Sequence, residues 1–171
     1  MSARRVGLAK VAGNRLGEID PLSREGYNGR MDVIERLKTL IPDLLAGVPV
    51  QLAYLHGSVA RGQALPDSDV DIALVGNAGL VPCEWLALAL RLERQLAEAG
   101  IRNADVRFID DAPLLVRGRV VTEGIRLYAA SPQARAEFEA PLLSLYFDFL
   151  PAARRLQAAY LDYVKEHGLH G

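Results

Sequence analysis

The sequence predicts an α/β domain of the α+β kind, a mixed central sheet flanked by helices with a C-terminal helical tail. Three observations predict it. Strand-like apolar runs at residues 50–55, 69–75, 104–110 and 126–129 are interleaved with segments of helical periodicity. The link from Leu55 to Asp69 is too short to hold a crossover helix between parallel strands, so the first two strands are expected to be antiparallel. From Pro132 onward the chain keeps helical spacing and carries more than half of its aromatic residues.

The elements follow in order. Residues 1–30 scatter Gly7, Gly13, Gly17, Pro21, Gly26 and Gly29 among polar residues without a period, and are expected to form a loosely structured N-terminal extension. Met31 is then a candidate start of the functional domain, residues 31–130, with residues 131–171 as the tail. Over residues 31–46, Ile34, Leu37, Leu40, Ile41, Leu44 and Leu45 mark one buried helical face, with Pro42 expected to kink or end it and Gly47 to stop it. The run VQLAYL is the first strand. Pro82 opens a helix reaching to residue 99, with Trp85, Leu88, Ala89, Leu92 and Leu96 on a stripe that Leu86 and Leu90 widen, so this helix is expected to be well buried. ADVRFID alternates as a strand, with Asp105 and Arg107 on one face and Val106 and Phe108 on the other. Residues 112–123 read as a short helix, residues 126–129 as a last strand. Ser131-Pro132 is a good helix start, and Pro141 and Pro151 are expected to break the tail into pieces.

Composition excludes several classes. At 171 residues the chain fits one domain with a proper core, and its formal net charge of −1 supplies no global field for nucleic acid, so no direct nucleic-acid binding is expected. The single cysteine, Cys83, rules out an internal disulfide and suits a reducing cytoplasm. No run approaches the roughly 18 consecutive apolar residues of a membrane helix.

The chemistry is concentrated in residues 56–75. Gly57 lets the backbone come close to a ligand, Ser58 offers an N–H and a hydroxyl to a phosphate oxygen, Arg61 can reach a phosphate, and Gly62 ends the turn. A glycine-serine turn alone is weak evidence. The two aspartates change the weighing: Asp69 and Asp71, one strand repeat apart, point to the same side while Val70 and Ile72 face the apolar side. Two such carboxylates repel unless a cation sits between them, and magnesium, which takes oxygen ligands together with substrate phosphates, suits them. The plainer reading makes Asp67, Ser68 and Asp69 turn residues and leaves Asp71 exposed at an edge.

Gly57-Ser58, ten residues, then Asp69-Val70-Asp71 resembles the signature of the DNA polymerase β-like nucleotidyltransferase superfamily. The local form, Gly57 to Gly62 with Ser68 to Asp71, is similar to its minimal nucleotidyltransferase branch. The resemblance covers residues 31–130 and implies a small mixed-sheet domain that binds a nucleoside triphosphate, ATP in the simplest case, with two magnesium ions. It also implies a third carboxylate on a neighbouring strand, a place that Asp105 matches in type. Asp110 and Asp111 compete for it but sit at the strand's end, where they read as a loop or helix cap. Asp69, Asp71 and Asp105 would be the catalytic and metal-holding residues, and Gly57, Ser58, Arg61 and Gly62 would bind the nucleotide. Arg107 is either a phosphate contact or the salt-bridge partner of Asp105, and His56 either approaches phosphate or is structural. His167 and His170 lie in a frayed end without a role.

Residues 135–139 followed by Tyr146-Phe147-Asp148-Phe149 resemble the end of the MntA-type antitoxins. That likeness implies a HEPN-domain ribonuclease toxin as partner, silenced by transfer of AMP from ATP to a toxin tyrosine. The residues after 130 are too few for an acceptor domain, which points to an acceptor brought by another protein. Two other readings stay open: small-molecule nucleotidylation of the aminoglycoside-modifying kind, and a non-catalytic antitoxin acting by contact. The aromatic tail is a partner surface on the first reading, and core or homo-oligomer contact on the plainer one.

Overall fold

In the computed structural model, which describes residues 21–65, 68–77 and 79–168, the four expected strands form one sheet. They are β1 (Val50–His56), β2 (Val70–Gly76), β3 (Ala104–Phe108) and β4 (Ile125–Ala129), in spatial order β3-β2-β1-β4. The central pair β1/β2 is antiparallel, as the short link requires, and β4 is antiparallel to β1 on its other side. Only β2/β3 is parallel, and the chain between them forms the crossover helix α3 (Pro82–Glu98). The mixed sheet was therefore legible from the loop lengths.

Helices cover both faces. On one side lie α1 (Pro21–Leu44) and α3, whose Ile34, Leu37, Ile41, Ala89, Leu92 and Leu96 are buried against the strands. On the other lie α4 (Leu114–Glu123) and α5 (Pro132–His167), and there Leu52, Tyr54, Ala73, Val75 and Val120 form a second cluster with Phe138 against it. Alternation sorts the residues: Val70, Ile72 and Leu74 face α1 and α3, while Ala73 and Val75 face α4 and α5. A five-residue helix, α2 (Gly57–Arg61), fills the turn after β1.

Three expectations need correction. The first helix starts at Pro21, so the expected boundary at Met31 falls inside α1 and the loose extension does not reach residue 30; residues 1–20 lie outside the described residues. Pro42 agrees with its reading, since α1 ends two residues after it at Leu44 and Gly47 follows at φ +71°. Leu86 and Leu90 do not widen the buried stripe of α3: they are 63% and 55% exposed, because they lie a step off the Ala89–Leu92–Leu96 row that meets the sheet. The third correction is the tail. Pro141 and Pro151 lie inside one continuous helix, α5, rather than breaking it. Both prolines are exposed, and each forfeits one N–H bond, while burial of Leu142 and Tyr146 between and beside them holds the helix on course. Its start is as read: the Ser131 hydroxyl accepts from the Ala134 N–H at 3.0 Å.

Two contacts pin α5 to the rest. The Tyr146 ring lies on Gly118 of α4, where an added Cβ would overlap it. The Tyr54 hydroxyl donates to Glu139 at 2.7 Å, and the same carboxylate meets Arg135 at 3.1 Å and Arg126 at 3.7 Å, so β1, β4 and α5 share one polar network. Burial and that bond to Glu139 hold the phenol pKa well above its ordinary 10.0.

Gly118→Ala should lower the thermal midpoint by roughly 3–6 °C, because overpacking against Tyr146 outweighs the gain in helix propensity of about 1 kcal/mol. A midpoint raised by the alanine would show that the close contact has no energetic weight. The folded chain also binds the Tyr54 proton more tightly than the unfolded chain, so that stabilisation is complete below pH 10 and is lost as pH rises above it. Urea midpoints should accordingly fall more steeply between about pH 10 and pH 12 for the wild type than for Tyr54→Phe. Parallel curves for the two proteins would remove Tyr54 as the cause.

Candidate active site

The sheet register gathers the acids. His56 pairs with Asp71 across the antiparallel β1/β2 ladder, and Asp71 pairs with Asp105 across the parallel β2/β3 ladder. The three side chains therefore make a row across three adjacent strands, spaced about 5 Å per strand, on the face shared with Ala73 and Val75. Asp69 lies just before β2, two residues from Asp71, and is exposed. Its loop is tied down nearby: the Ser68 hydroxyl accepts from the Leu65 N–H at 2.8 Å, and the Val70 N–H donates to the Asn103 carbonyl at 2.7 Å. Asp67 lies outside the described residues.

The turn of residues 57–62 comes directly against the acids. Gly57 has φ +71°, and a Cβ there would overlap the Asp71 carboxylate, with its Cγ at 2.9 Å. Only glycine gives this backbone both the conformation and the room. Ser58 follows in α2. Gly62, at φ 76° and ψ 22°, closes the helix, and the Gln63 N–H returns to the Ser58 carbonyl at 2.9 Å. Asp71 and Ser58 are half-buried, while Arg61 is exposed.

Asp105 is the third carboxylate of the row, and its surroundings decide its charge partner. Arg107 donates to both of its oxygens, at 2.9 and 2.8 Å, which resolves the two readings of Arg107 in favour of the salt bridge. The bond and charge of Asp105 raise the Arg107 pKa. The competitor Asp110 points elsewhere: both its oxygens accept from the Gly76 N–H at 3.1 Å, and burial raises its pKa. Of the residues named in sequence, the structure thus brings together Gly57, Asp71, Asp105 and His56, with Ser58, Arg61, Gly62 and Asp69 at the margins.

Burial holds the His56 imidazole below its ordinary 6.5, against the pull of the Asp71 and Asp105 carboxylates and with the push of Arg61 and Arg107. It is neutral at pH 7. It helps to line a cleft of about 230 Å³, together with Gly57, Arg61, Val116, Arg119, Val120 and Glu123. Here the structure adds residues that the sequence did not single out. Glu123 reaches Arg119 at 3.7 Å and Arg61 at 4.0 Å, so the arginine of the turn is coupled to α4. The Arg119–Glu123 spacing of four lies within α4, but no spacing announces Arg61, which comes from α2.

Among the described residues no three His, Cys, Asp or Glu side chains converge closely enough to cage a metal by themselves. The donor set still fits magnesium, which keeps waters and phosphate oxygens in its shell and needs only one or two carboxylates from the protein. No helix among the described residues is long and apolar enough to cross a membrane.

Comparison with known proteins agrees with this geometry. The family model described as Polymerase beta, Nucleotidyltransferase matches residues 39–133. Among curated proteins, none matches the chain. Among solved structures, the chain is similar to one of a toxin–antitoxin with AMP-PNP, at 29% identity and a TM-score of 0.55, over 75% of this chain and 98% of that one. It is also similar to one from tri-AMPylated Shewanella oneidensis HEPN toxin in complex with MNT antitoxin, at 27% identity and a TM-score of 0.53, over 77% and 98%. A toxin–antitoxin MntA-HepT structure shares the fold at 22% identity and a TM-score of 0.51, over 77% and 98%.

Gly57→Ala should leave the domain folded, lower its midpoint by a few degrees through a backbone cost of about 1–2 kcal/mol, and displace Asp71. Nucleotide binding measured by calorimetry with magnesium should weaken about tenfold or more. Binding equal to that of the wild type would mean that the close approach of Gly57 to Asp71 does not shape the site.

Proposed function

The chain belongs to the polymerase β-type nucleotidyltransferase family, and on that premise we propose that it is a protein adenylyltransferase. It transfers AMP from ATP, with magnesium, to a tyrosine hydroxyl of a partner HEPN ribonuclease toxin, and acts as the antitoxin of that toxin. The observation that carries this reading is the row Asp71–Asp105, flanked by Asp69, set against a glycine turn with no room for a side chain. Two relatives above a quarter identical support the substrates. One is a toxin–antitoxin with AMP-PNP, an ATP analogue, and the other includes a HEPN toxin bearing three AMP groups. The match spans nearly the whole of each related chain.

Asp69, Asp71 and Asp105 would hold two magnesium ions, whose chemistry there is to neutralise phosphate charge and acidify the acceptor hydroxyl. The other roles belong to the chain's own groups. Gly57 lets the turn approach the triphosphate, and Ser58 donates its hydroxyl to the β- and γ-phosphates. Arg61 exchanges its distant contact with Glu123 for a phosphate oxygen, and Gly62 fixes where the turn ends. The acceptor oxygen forms a bond to the α-phosphorus as the bond to the pyrophosphate oxygen breaks, and Asp105 takes the acceptor's proton. Neutral His56, beside Asp71, keeps the buried end of the row free of an added positive charge.

Incubation of the full chain with ATP, magnesium and its HEPN partner, followed by mass spectrometry, should find AMP on a toxin tyrosine. Asp71→Asn and Asp69→Asn should each cut that transfer about a hundredfold or more while preserving the circular dichroism spectrum. Tight toxin binding with no adduct would replace catalysis by neutralisation through contact, and an adduct on an aminoglycoside alone would move the acceptor to small molecules.

A further inference from the structure

The second half of α5 leaves the body of the domain. Beyond residue 153 every described side chain of this helix is exposed except the half-buried Val164. Apolar residues persist there all the same: Leu156 is 73% exposed and Tyr163 59%, and nearer the body Leu145 is 61% exposed. They are not scattered. Leu145, Phe149, Ala152, Leu156, Ala159 and Tyr163 recur at alternating spacings of four and three, the seam of a coiled coil. At 1.5 Å per residue the seam runs about 27 Å, and it is continuous because Pro151 does not interrupt the helix.

We propose that this seam pairs with the same seam of a second copy of the chain, antiparallel, through the exposed half of α5. Two features choose this occupant and this direction. In an antiparallel pair centred between Leu156 and Ala159, large residues meet small ones across the distal half of the seam: Leu156 faces Ala159 of the second copy, and Tyr163 faces Ala152 of the second copy, while Leu145 and Phe149 lie beyond that paired stretch. A parallel pair would instead stack tyrosine on tyrosine and alanine on alanine, alternating clashes with gaps. The charges agree with the packing. Arg155 and Asp162 flank the seam on the same side, seven residues apart, so antiparallel pairing sets Arg155 beside Asp162 of the second copy, twice by symmetry. Arg155 has no ion pair among the described residues, and Asp162 has an exposed one with Lys165 at 3.2 Å. In the parallel arrangement Arg155 would meet only the uncharged Tyr160.

Sedimentation velocity of the full chain across a concentration series should show a monomer–dimer equilibrium. Leu156→Glu, an exposed position with nothing to disturb in the fold, should give the single-chain mass throughout. Arg155→Asp and Asp162→Arg should each raise the dimer Kd about tenfold, since two attractive pairs become repulsive. The double variant R155D/D162R should return to the wild-type Kd, a rescue that a general loss of solubility or folding cannot mimic. A wild type that stays monomeric at high micromolar concentration overturns the proposal, as does a dimer that none of the single variants weakens or that the double variant fails to restore.

Discussion

The arrangement of the site depends on one close approach, that of the Gly57 backbone to the Asp71 carboxylate. Because the Cβ of any other residue would overlap that carboxylate, only glycine lets the turn pack this closely against the middle acid. The sheet then extends the placement sideways. The β1/β2 register sets His56 opposite Asp71, and the β2/β3 register sets Asp105 on its other side. Central strands are the least mobile part of such a domain, so a site built on their ends is positioned by the core itself.

That placement has an electrostatic cost. Two carboxylates about 5 Å apart repel by at most roughly 3 kcal/mol at an effective dielectric near 20. The protein answers it within the row: Arg107 grips both oxygens of Asp105 from two residues along the same strand, and the imidazole beside Asp71 is kept neutral by burial. The acids are thus tolerated in the protein by one arginine and one uncharged ring. On the opposite side of the turn, Glu123 performs the same service in reverse for Arg61 and Arg119.

Much of this was legible in the sequence for a physical reason: it rests on short-range rules. A strand alternates with period 2, so Asp105 and Arg107 had to share a side within β3. A link of the length between Leu55 and Asp69 cannot bring a strand back parallel, so β1 and β2 had to be antiparallel. What was misread depends on tertiary contacts. Periodicity cannot say how wide the buried stripe of α3 is, because that is decided by how far the sheet extends beneath Leu86 and Leu90. Proline rules describe an isolated helix, whereas Tyr146 on Gly118 and Glu139 in its network hold α5 straight through Pro141. Gly26 and Gly29 weaken the helical signal ahead of Met31, yet α1 begins at Pro21, itself a favoured first residue of a helix. The cleft with Arg119 and Glu123 had no signature at all, being assembled from α2 and α4.

The continuity of α5 has a consequence for how the two ends of the molecule are related. Its first half is part of the core, joined through Tyr54 and Glu139 to the central strand β1, whose last residue is His56. Its second half carries exposed apolar residues away from that core. Had Pro141 or Pro151 broken the helix, the exposed part would have been a separate segment without the buried contacts of the first half, and most helical stability in proteins comes from such packing. As part of one continuous helix it follows directly from the buried half, and a partner that binds a formed helix spends little on ordering it. The strand that sets His56 beside Asp71 therefore also anchors the helix that presents these exposed apolar residues.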